Sequence, residues 1–263
     1  MQYEEIKLEF TDNVAVLTFN NPGALNAISW KMIQEVSSAV EEVEDPANGA
    51  RCLLLTGAGR AFCSGANLAD PEMSKNKKMD AGEVLEKWYN PLMLKLSEFK
   101  MPYITAINGP AVGVGMSFAL MGDMVLAARS AYFLQAFRRI GLVPDGGATY
   151  ILPRLISTVR CMELSLLGER LSAEKALEWG MINRIYDDKD LMPEAMKLAR
   201  ELAAGPSFSL GLIRKAYWMS LENSFIKQLQ VERQFQKLAG DSADSHEGIQ
   251  AFLEKRPAKF QGK

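Results

Sequence analysis

Apolar and polar positions alternate over residues 3–9, and a more continuously apolar run follows at 14–19. Joined across Asp12 and Asn13, the two runs predict a β-hairpin. Asn20-Asn-Pro-Gly23 then breaks the second strand. Over about 29–44 the period becomes helical, with Ile33, Val36 and Val40 on one face and Ser29 as the cap. Residues 51–56 are apolar almost throughout, the pattern of a strand covered on both faces. Residues 57–68 form a glycine-rich loop, and the polar stretch 70–81 predicts a lid. A helix over about 82–98, a strand at 103–107, a helix from Gly113 and a strand at 124–128 follow. This repetition predicts an α/β core with right-handed crossovers. Beyond 141–147 the pattern is mostly helical, with segments near 148–153, 157–167, 172–179, 190–204, 207–220, 223–239 and 243–254 and one strand near 183–186. The change at about 190 divides the chain into an α/β core, 1–190, and a C-terminal helical region, 191–263.

The chain is organised around residues 106–123. There an apolar strand meets the turn Asn108-Gly-Pro110, and Gly113 and Gly115 open an apolar helix. Glycine admits close backbone approach, and a helix start leaves N–H groups unpaired at the positive end of the helix dipole. Such a site holds an anion that exists only during a reaction, and the N–H of Val114 is the candidate donor.

Composition narrows the chemistry. The 263 residues are 48% hydrophobic and 24% charged, ample for a core. A net charge of −2 argues against a nucleic-acid partner. The longest apolar run, around 111–122, is too short to span a bilayer, so no membrane partner is expected. The first seven residues carry no apolar signal region, and Cys52, Cys63 and Cys161 are odd in number and widely spaced. A cytoplasmic location with reduced thiols is the expectation. The single histidine, His246, makes a histidine metal site or a histidine-based triad hard to build. It sits in a polar helix start and reads as exposed or capping.

Gly113-Val-Gly-Met-Ser-Phe118 begins like a dinucleotide fingerprint, but phenylalanine stands at the last glycine, and Gly57-Ala-Gly-Arg-Ala-Phe62 fails in the same way. Ser117 lies near a nucleophile-elbow pattern yet lacks a histidine partner, so it reads as a small residue on a buried helix face. Cys63 has no base beside it and reads as packing. Lys75, Lys77 and Lys78 read as a solvated lid that could also attract phosphate. Asp145 follows Pro144, precedes two glycines and sits among Ile140, Leu142 and Val143. Spacing leaves two readings open: the N-cap of the next helix, or a carboxylate facing a dry cavity with a raised pKa.

Together Asn21-Pro-Gly-Ala-Leu-Asn-Ala27, the loop 57–68, Asn108-Gly-Pro-Ala-Val-Gly-Val-Gly115, Ile140-Gly-Leu-Val-Pro-Asp-Gly-Gly147 and Glu178-Trp-Gly-Met-Ile182 resemble the enoyl-CoA hydratase/isomerase (crotonase) family, over about residues 3–262. The resemblance implies the crotonase (ClpP-like) α/β fold, a spiral of β–β–α units. It also implies C-terminal helices that build a trimer or a dimer of trimers. The implied ligand is an acyl-CoA thioester, with no metal and no cofactor beyond the coenzyme A of the substrate. Ala66 and Val114 map to the two N–H groups of the oxyanion hole. At the second position the family usually has glycine, so the valine side chain is expected to narrow the pocket. Ala24, Leu25 and Ala27 and the loop Ser64, Gly65, Asn67 and Leu68 would lie against coenzyme A, with Asn67 where the family has aspartate. Phe252 and Lys255 would reach adenine and phosphates, usually from a neighbouring subunit. Gly113, Ser117 and Phe137 complete the implied substrate-facing set. Family hydratases carry glutamates where this chain has Ser117 and Phe137, and neither residue can activate water or deliver a proton. Asp145 alone remains, at the position used by the family's single-acid isomerases. The implied activity is therefore isomerisation, moving a double bond or opening a ring epoxide in a CoA thioester. An atypical hydratase and a non-catalytic acyl-CoA-binding protein are the rivals.

Overall fold

The hairpin predicted from alternation forms as β1 (Ile6–Thr11) and β2 (Val14–Phe19), paired antiparallel. Its turn residues Asp12 and Asn13 both have positive φ, 51° and 60°, which short polar side chains tolerate. The protein, seen in a computed structural model, is described at residues 2–70 and 80–263. Most of the expected lid, with Lys75, Lys77 and Lys78, therefore lies outside the described residues.

From β2 a parallel sheet grows through β3 (Cys52–Gly57) and β4 (Tyr103–Ile107). Every residue of β4 is buried, as a continuously apolar strand inside a covered sheet requires. A second, three-stranded sheet holds β5 (Ala111–Val112), which also leads the chain towards the glycine turn at Gly113. The main sheet continues with β6 (Met124–Ala128), while β7 (Tyr132–Leu134) and β8 (Leu171–Ser172) complete the small one. The sixth strand of the main sheet is β9 (Arg184–Tyr186), parallel to β6.

Helix α1 (Trp30–Glu44) starts as expected. The Ser29 hydroxyl accepts the Met32 N–H at 3.0 Å, and Met32, Ile33, Val36, Ala39, Val40 and Val43 are buried. The rod predicted near 82–98 is α2 (Ala81–Val84), a π-helical turn (Leu85–Tyr89) and α3 (Asn90–Ser97). Helix α4 (Val114–Leu120) is buried over its whole length. Helix α5 (Ala148–Leu167) breaks at Ser157, where φ is 71°, so the two predicted segments are two helices joined end to end. Helix α6 (Ala173–Glu178) precedes β9.

Helix α7 (Leu191–Ala204) packs on β3, β4 and β6, so the helices standing clear of the sheet begin at Ser207. They are α8 (Ser207–Ser220), α9 (Phe225–Gly240) and α10 (Ala243–Glu254). Arg214 anchors α8. Its guanidinium donates to the carbonyls of Leu96, Ser97 and Phe99 at 2.6, 2.8 and 3.0 Å and pairs with Asp123 at 2.7 Å. Asp123 in turn accepts the Tyr103 N–H at 2.8 Å. Val159, Tyr217, Phe225 and Ile226 are each more than 70% exposed.

Candidate active site

Two loops meet where the sequence placed the anion site. The first runs from β3 through residues 57–68, and the second is the turn from β5 into α4. Bridges Ile28 to Ala66 and Cys63 to Ala111 stitch them together. Gly113 has φ 54° and ψ −128°, a conformation open to glycine. A methyl placed on Gly113 would lie 4.0 Å from Gly65 Cα and 3.8 Å from Phe137 Cζ. The two backbones thus touch directly, with the buried Phe137 ring over them. On one loop Gly65 O accepts the Ile28 N–H at 2.7 Å and the Asn67 N–H donates to Ile28 O at 2.9 Å. The N–H of Ala66 between them therefore points the other way, and no acceptor takes it among the described residues. Val114 is the first residue of α4, so its N–H has no intrahelical acceptor. The two predicted donors stand on adjacent backbones, and neither has a backbone acceptor among the described residues.

The Val114 side chain does not narrow a pocket mouth. It is buried, and its Cγ2 sits 3.0 Å from where a Cβ on Gly146 would be. Ser117 packs on the same glycine, and its hydroxyl donates to the Asp145 carbonyl at 2.9 Å. The sequence placed Ser117 among substrate-facing residues, whereas the structure engages its hydroxyl in fixing the main chain of the acid.

Asp145 does not cap a helix. The N-cap of α5 is Gly147, with no side-chain hydrogen bond. The Asp145 carboxylate has one oxygen, Oδ1, fully buried with no hydrogen-bond partner among the described residues. Burial pushes its pKa from 3.8 to about 6, with no cation to offset the desolvation. A carboxyl that ionises near neutrality, with one oxygen buried and unpartnered among the described residues, is suited to taking and returning a proton.

The segments implied for coenzyme A are brought together. Ser64 N donates to Leu25 O at 3.1 Å, the Ser64 hydroxyl to Ala24 O at 3.3 Å, and Ala27 N to Ala24 O at 3.0 Å. Asn67 Oδ1 accepts the Ala69 N–H at 3.2 Å, and Leu68 is 61% exposed at the rim. The carboxylate of this segment is Asp70, which holds the Trp30 N–H at the start of α1 at 3.0 Å. Phe252, 81% exposed, and Lys255 stand on the surface at the end of α10. Sequence reasoning missed Asn26. It is wholly buried, and its amide donates to the carbonyls of Ala58, Ala61 and Phe62 at 2.9, 2.8 and 3.3 Å, holding the first loop in place. Cys63 is buried and its thiol is pushed up to about 12, which leaves it inert as a nucleophile. His246 is exposed on α10. Among the described residues no histidine, cysteine or acidic cluster suited to a metal ion occurs, and no helix is long and apolar enough to cross a membrane.

Fold and site together define an α/β protein in which two adjacent loops present backbone N–H groups beside a partly buried carboxyl. Residues 9–263 match the enoyl-CoA hydratase/isomerase family, and the chain belongs to it. A 1,2-epoxyphenylacetyl-CoA isomerase of Escherichia coli K12 is 47% identical over 251 residues, 95% of each chain. A Rhodobacter capsulatus protein named "Probable enoyl-CoA hydratase" is 39% identical over the whole of both chains. Among solved structures, an enoyl-CoA hydratase from Bacillus anthracis superposes with a TM-score of 0.91 at 29% identity, covering 99% of this chain and all of that one. The fold is therefore the crotonase fold. The family acts on acyl-CoA thioesters, and relatives named for hydration and for isomerisation both match.

Proposed function

We propose that this protein is an acyl-CoA isomerase that shifts a double bond, or opens a ring epoxide, through proton transfer by Asp145. The thioester carbonyl lies between the N–H groups of Ala66 and Val114. Asp145 removes a proton at C2, charge moves to the thioester oxygen, and the two donors stabilise the resulting dienolate. Loss of one such donor costs about 2.7–4 kcal/mol of barrier. For a 3-enoyl substrate the same carboxyl returns the proton at C4. Nothing is added from solvent, so one acid suffices, and the Phe137 ring over the glycine turn keeps water away.

The observation that carries this reading is the unpartnered, buried Oδ1 of a carboxyl raised to about 6, standing on a loop fixed by Val114 and Ser117. The positions where family hydratases carry glutamate hold Ser117 and Phe137, which supports isomerisation over hydration. Coenzyme A would rest on Ala24, Leu25, Ala27 and the 64–68 loop. Phe252 and Lys255 would act in a trimer or hexamer whose contacts cover the exposed apolar side chains. A panel of 3-enoyl-CoA, 2-enoyl-CoA and epoxyphenylacetyl-CoA, followed by mass and ultraviolet spectra, tests the reading. Products of unchanged mass support it. A 3-hydroxyacyl-CoA from crotonyl-CoA would reverse it in favour of hydration, and binding without C2 proton exchange would mark a non-catalytic protein.

A further inference from the structure

A cleft of about 660 Å³ lies between α3, the start of α5 and α8. Gly146 and Gly147, the two residues after Asp145, form part of its wall. Gly146 also packs on α4: a Cβ built on it would stand 3.0 Å from Val114 Cγ2 and 2.9 Å from Ser117 Cβ. One residue thus touches Val114, whose N–H is a candidate carbonyl donor, and borders the cleft. Neither glycine puts a side chain into the gap, and at φ of 58° and 80° any other residue would be strained there. Met93, Met121 and Ile151 line the cleft and are buried. Trp218 and Met219 of α8 line it half-buried. The charged lining residues Glu98, Lys215 and Glu222 are exposed, so polar groups gather at its outer edge. A concave, mostly apolar space of this size suits a small-molecule group, and methionines let its walls adapt to the occupant.

We propose that this cleft takes the distal part of the acyl group, so that the protein selects CoA esters with long apolar acyl chains over short ones. This rests on seating the thioester between Ala66 and Val114 with its C2 at Asp145. From that seat the chain beyond C4 runs past the Asp145 loop, and Gly146 and Gly147 are the part of that loop bordering the cleft. A butyryl chain ends beside Asp145 and leaves Met93, Ile151 and Trp218 facing water. A longer chain covers them. Each fully buried methylene is worth about fourfold in affinity, and in a cleft open along its edge about twofold is expected.

The test measures by calorimetry the affinity of the saturated, unreactive butyryl-, hexanoyl-, octanoyl- and decanoyl-CoA. In the wild type binding tightens about twofold per methylene, or about 60-fold from butyryl- to decanoyl-CoA. Met219→Trp fills the cleft from its half-buried wall, and Met219→Glu puts a charge into it. Both variants flatten the series and bind butyryl-CoA as the wild type does, which also reports that they are folded. Three results overturn the proposal: a flat series in the wild type, a series equally steep in both variants, or butyryl-CoA weakened as much as decanoyl-CoA, which would make the cleft part of the coenzyme A seat. A wild type that binds none of the esters would defeat the seating of the thioester as well, whereas a flat series with butyryl-CoA bound leaves that seating intact. None of these measurements needs turnover, so the isomerase reading is decided separately, by turnover of Asp145→Asn.

Discussion

Replacing Asp145 by asparagine is expected to stabilise the protein while abolishing its chemistry. The carboxyl is raised from 3.8 to about 6 by desolvation alone, and its Oδ1 receives no hydrogen bond among the described residues. Below about pH 4 the group is neutral in folded and unfolded chains, and it costs nothing. Between about pH 4 and 6 the unfolded chain ionises while the folded one holds its proton, so stability falls as pH rises. Above about pH 6 the group is ionised in both states and the full cost is present. At about 1.36 kcal/mol per pH unit the step corresponds to about 3 kcal/mol. The side chain keeps some contact with solvent, so about 1–3 kcal/mol is the working range. Asp145→Asn removes that cost. Asp123, raised to about 6 by burial despite its Arg214 partner, is common to both proteins and cancels in the difference. The assay is thermal and urea denaturation of the pair from pH 4 to pH 8. The variant should melt several degrees higher at pH 8, about 2–4 °C per kcal/mol, and converge on the wild type near pH 4. An Asp145→Asn protein that is less stable at every pH would show that the carboxylate holds structure together, and the reasoning would fail.

The same raised pKa sets the rate profile. As a general base Asp145 must be ionised, so kcat/KM for isomerisation should fall about tenfold per pH unit below about 6, read from initial rates between pH 4.5 and 8. Gly146→Ala puts a Cβ 2.9 Å from Ser117 Cβ and 3.0 Å from Val114 Cγ2 at a φ of 58°. It should lower stability by about 1–3 kcal/mol in urea and kcat by about 100-fold by displacing Asp145. Arg214→Met leaves Asp123 unpaired and three carbonyls without their donor, and a loss of about 3–5 kcal/mol is expected from denaturant titration.

The long, strongly patterned elements were legible from sequence. The apolar run of β3 and β4 and the amphipathic face of α1 each specify burial directly, and Ser29 marks its helix start through a side-chain bond that serine favours. The two- and three-residue strands β5, β7 and β8 were not legible, because so short a run has no measurable period. The π-turn at 85–89 was hidden for a related reason: one added residue shifts the face of a helix without changing its composition. Asp145 was left between cap and acid because the same residue types serve both. Only the coordinates place Gly147 at the cap and leave Oδ1 bare. Asn26 and Ser117 escaped for another reason. Their partners are carbonyls 28 or more residues away, contacts that local spacing does not encode.

The most direct measurement follows the proton. The wild type is given a 3-enoyl-CoA deuterated at C2, and the product is examined by mass spectrometry and NMR, with Asp145→Asn in parallel. The account predicts a 2-enoyl-CoA with deuterium delivered in part to C4, and no conversion by the variant. A product heavier by one water, or conversion by Asp145→Asn at the wild-type rate, would contradict it.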